Sequence, residues 1–199
     1  MPLSLESALT LALGPFNPYI INPEWLVKNK ICEDGEVEIR LLPLSQGMAF
    51  SFSHVQWQVD FRHLMAASLE VDCGPRISRV IELLEHTPVM GVGNNFQYAC
   101  SREEWGDSPL PMLGGTNSDI SNREGWLVEQ TRWSCVLRSG DARIEVTIAR
   151  EDLGMVVLFN FHRETPNPGD AVAAARKFSE DRDTSVTLIR EIFGQEVKR

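Results

Sequence analysis

The chain has no run approaching the roughly 20 consecutive apolar residues that a membrane-crossing helix needs. It has four cysteines in 199 residues, Cys32, Cys73, Cys100 and Cys135, and no C-x-x-C pair among them. That spacing supports neither a zinc clip nor a redox couple and reads as buried free thiols. The four histidines never fall at H-x-x-x-H spacing, so no metal or cofactor is expected. Serine has no G-x-S-x-G setting, and Gly91-Val92-Gly93 lacks both the third glycine and the following helix of a dinucleotide fingerprint. Basic surplus is absent too: the formal net charge is -9, which repels phosphate backbones and argues against a nucleic-acid partner.

What is present is ordinary globular composition, 43% hydrophobic and 24% charged, in a length that suits one domain with a core built without staples. Residues 1–16 carry a short apolar run but also Glu6, with no basic leader, so they make a poor signal peptide and the cytoplasm is the expected compartment. Residues 4–13 read as a short helix capped by Ser4, and residues 1–34 as a cover segment containing a second helix that begins at Asn22-Pro23.

From Val37 the apolar period becomes two. Val37, Ile39 and Leu41 form one strand; Met48, Phe50 and Phe52 then alternate in one phase, and Val55, Trp57, Val59 and Phe61 in the other. A β-bulge at Ser53-His54 would bring both sets to one face, turning His54, Gln56, Gln58 and Asp60 outward. A further strand spans 63–71, an amphipathic helix with Ile77, Val80, Ile81 and Leu84 on its stripe follows Gly74-Pro75, and a strand spans 89–99. Gly91 and Gly93 share a parity there, which predicts a close neighbour on that face.

Ser101 to Glu104 has the spacing of a capping box. Residues 106–125 are polar and rich in proline and glycine, too long for an ordinary connection and therefore mobile or functional. Strands over 126–137, 142–150 and 155–163 follow, the last expected to be central and covered on both sides, and then a helical stretch over 170–193, either continuous or restarted near Asp183-Thr184. The fold class is α+β: a twisted, mainly antiparallel sheet of about six to seven strands with helices packed on it. Its order suggests a duplicated βββα unit, with halves at 35–99 and 126–199 separated by a long loop at 100–125.

His86-Thr87-Pro88-Val89 with Gly93, Asn95 and Phe96, together with Asn160-Phe161-His162 before the closing helix, resembles a group of uncharacterised bacterial proteins. In that group an H-T-P-V turn, a G-x-N-F strand and a late N-F-H strand end recur; the likeness covers about residues 77–96 and 159–194 and implies no activity. A fainter similarity, in element order alone, connects the sheet and terminal helices to SecB-like chaperone folds and implies sheet-mediated oligomers.

Candidate sites are few. His54, Asp60 and His63 supply acid–base chemistry in kind, but alternation separates His54 from Asp60 by roughly 20 Å at about 3.3 Å per residue. Asn160 and His162 share a face near a strand end, as does Asn95 on its own strand, and either address a ligand or form a buried pair satisfied by the C-terminal helix. Asn94 has the same two readings. Trp105 and Trp126 flank the long loop as interface aromatics, whereas Trp57 and Trp133 read as core. These features favour a non-enzymatic binding protein that self-associates and takes a protein or small-ligand partner through His54, Gln56, Gln58, Asp60, Trp105 and Trp126. The alternative is a small-molecule hydrolase or transferase with Asn95, Asn160 and His162 in a cleft.

Overall fold

Two antiparallel meanders flank a central pair of long strands, and all the large helices lie over one face of the resulting sheet. The computed structural model describes residues 3–33, 35–42, 47–52, 54–105, 131–151, 154–194 and 197–198. Its strands are β1 (Leu3–Leu13), β2 (Glu38–Leu42), β3 (Gly47–Phe52), β4 (Val55–Val59), β5 (His63–Ala67), β6 (Gly91–Ser101), β7 (Thr131–Ser139), β8 (Ala142–Glu151), β9 (Gly154–Glu164) and β10 (Val197–Lys198). The helices are α1 (Pro23–Lys28), α2 (Gly74–Leu83), α3 (Arg102–Trp105), α4 (Pro168–Arg176) and α5 (Phe178–Phe193). The sheet order is β2-β3-β4-β5-β1-β6-β9-β8-β7, antiparallel throughout, with β10 added in parallel to the start of β1.

The α+β class with a large antiparallel sheet is as expected, but the sheet has 10 strands, more than six to seven. One of the additional strands is β1, for which the sequence suggested a helix. Leucine and alanine favour a helix locally, yet tertiary pairing overrides that preference. Leu9 lies opposite Ala67 on one side and Asn95 on the other, so β1 is paired along both edges at the centre of the sheet. Its parity sorts small side chains inward, with Ala8, Thr10 and Ala12 buried beneath the helices and Leu9, Leu11 and Leu13 on the other face.

The phase change at 53–54 is a hairpin and not a bulge. Phe52 pairs with Val55, Phe50 with Trp57 and Met48 with Val59, so reversal of the chain brings both apolar sets to one face. His54 takes φ 63 in that turn. Strand β4 stops at Val59, and Phe61 is exposed in the next turn. Strand β9 is central, as expected, but covered on one side only: Phe159 and Phe161 are buried while Leu158 is 37% exposed.

Helix starts follow their capping chemistry. Asn22 Oδ1 accepts the Trp25 N–H at 2.9 Å ahead of Pro23, and Asn167 Oδ1 accepts the Asp170 N–H at 3.0 Å ahead of Pro168. Ser101 and Glu104 form the expected capping box, each side chain accepting the other's backbone N–H at 3.2 and 3.1 Å. The C-terminal helical stretch is broken at Lys177 into α4 and α5, and α5 ends on Gly194 in the left-handed region.

The core lies between the sheet and the helices. Phe96 packs against Phe161 and Phe178 at ring separations of 6.0 and 5.0 Å, and Phe50 stacks on Trp57 at 6.3 Å. Helix α2 approaches the α4–α5 junction so closely that a Cβ at Gly74 would stand 2.2 Å from the Ala175 carbonyl oxygen and 2.7 Å from Phe178 Cβ. Gly74→Ala must separate these helices, and we expect a loss of about 1–3 kcal/mol, read as a lower urea midpoint with an unchanged slope.

Candidate functional site

Alternation divides the central strands into two chemically different faces. Toward the helices point Thr10 of β1, Asn94 of β6, Phe161 and Arg163 of β9; away from them point Leu9 and Leu11, Gly93 and Asn95, Asn160 and His162. The first set closes a buried polar network. Arg163 reaches Asp181 of α5 through two bonds of 2.7 Å, Nη1 to Oδ2 and Nη2 to Oδ1. Asn94 Nδ2 donates to Asp181 Oδ2 at 2.7 Å and to the Ala174 carbonyl at 3.3 Å, while its Oδ1 accepts from Thr10 Oγ1 at 2.9 Å.

Burial works against the Arg163 charge, but the Asp181 and Asp141 carboxylates outweigh it and hold the guanidinium pKa above its ordinary value. Asp141 accepts from Arg163 Nε at 3.2 Å and from Lys177 Nζ at 3.0 Å; despite partial burial, these cations hold its carboxyl below the usual range. Tyr98 meets Ser185 at 2.6 Å in the same layer. Every polar group here is engaged within the protein, so the network joins helices to sheet and leaves nothing for a ligand.

The open face is the candidate site. Along one row Gln56, Ala67, Leu9, Asn95, Asn160, Glu145 and Val136 lie side by side across seven neighbouring strands, as the register of the pairs requires. The next row carries Gln58, Met65, Leu11, Gly93, His162, Arg143 and Arg138. Asn95, Asn160 and His162 therefore do come together. The His162 ring lies over Gly91, where a Cβ would come within 2.8 Å of its Cε1, and the Asn95 and Asn160 amides lean over Gly93 at 3.5 and 3.6 Å. These side chains are the close neighbours that the two glycines predicted.

Asn160 is exposed and His162 half-buried, on the side away from the helices. The buried pair satisfied by the C-terminal helices is instead Asn94 and Arg163, one residue out of phase with the asparagine and histidine considered for that role. A shallow cavity of ≈ 300 Å³ borders Ser7, Leu9, Asn95, Glu145, Leu158 and Asn160. His162 does not line it.

The other expected positions separate. Gln56 is exposed and Gln58 half-buried on the open face, and His54 stands at the hairpin tip with Nδ1 3.2 Å from Glu70. Asp60 is not outward: it is 2% exposed and closes the β4–β5 turn. Its Oδ1 accepts the N–H groups of Arg62 and His63 at 2.8 Å each, and its Oδ2 meets His63 Nδ1 at 2.9 Å. A turn, which strand alternation does not anticipate, thus makes an aspartate–histidine pair. Trp126, the Trp105 side chain and the stretch 106–130 lie outside the described residues.

The cysteines offer no ready nucleophile. Burial pushes the Cys73 thiol up to about 12 and raises those of Cys32, Cys100 and Cys135. Among the described residues no group of three His, Cys, Asp or Glu side chains is placed to hold a metal ion, and no described helix is long and apolar enough to cross a membrane. A scan against models of protein families finds no match, and a search of curated proteins finds none either.

Two outcomes test the structural assignments. Asp181→Asn leaves the buried Arg163 with only the more exposed Asp141 as counter-charge and should cost about 3 kcal/mol in urea unfolding, more than the double change Arg163→Met with Asp181→Leu. For Asp60, burial favours the neutral acid, but the Arg62 N–H and the contacts from His63 prevail and lower its pKa. A carboxyl lowered on folding adds stability above its unfolded pKa, and that stability is lost as pH falls through the folded value. From about pH 5 to pH 3 the urea midpoint should therefore fall more steeply for the parent protein than for Asp60→Asn.

Proposed function

We propose that this is a non-enzymatic binding protein that associates with a second copy of itself through the open face of the sheet. The observation that carries the reading is the one-sided helix layer. On the uncovered side Leu9, Leu11, Leu13 and Met65 are only partly buried and Leu158 is 37% exposed, beside Asn95, Gln97 and Asn160. Five strands of 9–11 residues and four of 5–6, at about 3.3 Å per residue and about 4.8 Å spacing, give a face on the order of 1,000 Å². A stable interface needs roughly 800 Å² from each partner. Arg138 and Arg143 next to Glu145 and Glu164 supply both signs of charge, so a two-fold stack can pair them.

The acidic balance favours a protein or cationic partner over nucleic acid. The repeated order of strand, short helix, meander and helix supports a duplicated βββα unit. Such a unit, with its two meanders on either side of β1 and β6, accords with the likeness to the bacterial group with H-T-P-V and N-F-H motifs, and more faintly with SecB-like folds. A small-molecule hydrolase or transferase remains the second reading because Asn95, Asn160 and His162 converge near Glu145. Against it stands the shallowness of their cleft, since ligand sites are usually concave and enclosing.

Light scattering on the purified protein should give the mass of a homo-oligomer at micromolar concentration. Leu9→Arg and Leu158→Glu should each weaken association about 10-fold or more while leaving the thermal midpoint within a few degrees. A monomer at every concentration tested would overturn self-association. His162→Ala separates the two readings: intact folding and mass with loss of a small-molecule turnover would favour the enzyme.

A further inference from the structure

On the helix-covered side of the first meander, away from the open face, a cavity of ≈ 750 Å³ is bordered by Lys30 and Cys32 after α1, by His54 at the β3–β4 turn and by Arg76 in the first turn of α2. Val27, Ile31 and Val71 form its apolar wall. Lys30 and His54, the two non-glycine residues with left-handed φ among the described residues, at 56 and 63, both border it. Such backbone is costly for ordinary side chains and is retained where surrounding structure requires it.

Two buried donors beside this cavity find no oxygen or nitrogen acceptor. Trp57 is 1% exposed, and neither its Nε1–H nor the buried Arg76 Nε–H meets a carbonyl, carboxylate or hydroxyl. Both side chains face Cys32, whose sulfur is a weak acceptor and leaves such donors short of their usual bond energy. Buried donors left so are uncommon, and each costs on the order of a lost hydrogen bond. Lys30 is exposed and pairs with no carboxylate among the described residues.

The balance of charge narrows the ligand. Arg76 and Lys30 are cationic, Glu33 also borders the cavity, and His54 is already beside Glu70 at 3.2 Å. That arrangement suits one negative charge better than two. We propose that the cavity binds a small organic monocarboxylate with an apolar body. The carboxylate accepts from the Arg76 guanidinium and Lys30 Nζ, the body lies against Val27, Ile31 and Val71, and the Trp57 indole N–H, behind Cys32 of the cavity wall, senses the occupant.

The test is a titration of the full-length protein with hexanoate, followed through the assigned indole N–H signal of Trp57 in proton–nitrogen spectra. A saturable shift is expected, with hexanol and inorganic phosphate moving the signal far less at equal concentration. Arg76→Gln should weaken hexanoate about 10-fold or more, as removal of a charge-assisted bond does, and Lys30→Ala, at an exposed position, about 3-fold. If Arg76→Gln fails to fold, Lys30→Ala alone decides. The proposal is overturned if hexanoate gives no saturable shift, if folded variants bind it as well as the parent protein does, or if phosphate binds as tightly. Self-association through the open face is read separately by mass, so failure of either idea leaves the other standing.

Discussion

The bidentate pairing of Arg163 with Asp181 is the contact that joins the two layers of this protein. A guanidinium and a carboxylate lose most of their hydration when buried together, and their attraction compensates only if the remaining donors and acceptors are also satisfied. Here each nitrogen of the guanidinium has a carboxylate partner. Asn94 bridges Asp181 to the Ala174 carbonyl and to Thr10, and Asp141 accepts from Arg163 Nε. One carboxylate of α5 thereby fixes strands β9, β6 and, through Asn94, β1 beneath the helices. Removing a single member strands the others, so the network specifies one docking of α4 and α5 over the sheet.

That docking decides which face is open. Because side chains alternate along a strand, committing Asn94 and Arg163 to the helices commits Asn95, Asn160 and His162 to the opposite side. The buried network and the open face thus draw on adjacent residues of the same strands. Small residues help: Ala8, Thr10 and Ala12 let α2 and α4 approach the centre of the sheet, while the leucines between them are left to the open face.

The small cavity beside Trp57 has a different origin. It lies where the end of α1, a hairpin tip and the start of α2 meet, three chain segments far apart in sequence. Turns with left-handed Lys30 and His54 bring charged side chains to a place that alternation and helical periodicity do not describe. The buried donors beside it, on Trp57 and Arg76, meet only the weakly accepting Cys32 sulfur, in contrast to the carboxylate-centred network around Asp181.

Much of the local structure was legible from residue order alone: the α+β class, the Asn22-Pro23 and Ser101–Glu104 helix starts, the apolar stripe of α2 and the alternation of β8 and β9. These depend on interactions within a few residues, where capping and periodicity act. The central position of β1 was not legible, because the leucines and alanines of residues 3–13 favour a helix until strands from both halves of the chain pair with them. The β3–β4 hairpin looked like a bulge because both devices restore the same face. Asp60 looked outward because alternation was continued through a turn. The sequence by itself determined the capped helix starts, the amphipathic phases of α2, β8 and β9, and the acidic character that discourages nucleic acid. Only the tertiary structure decided which phase faced the helices and which polar residues met, since a one-residue difference in phase, settled by the ionic contact between β9 and α5, exchanges the buried face for the open one.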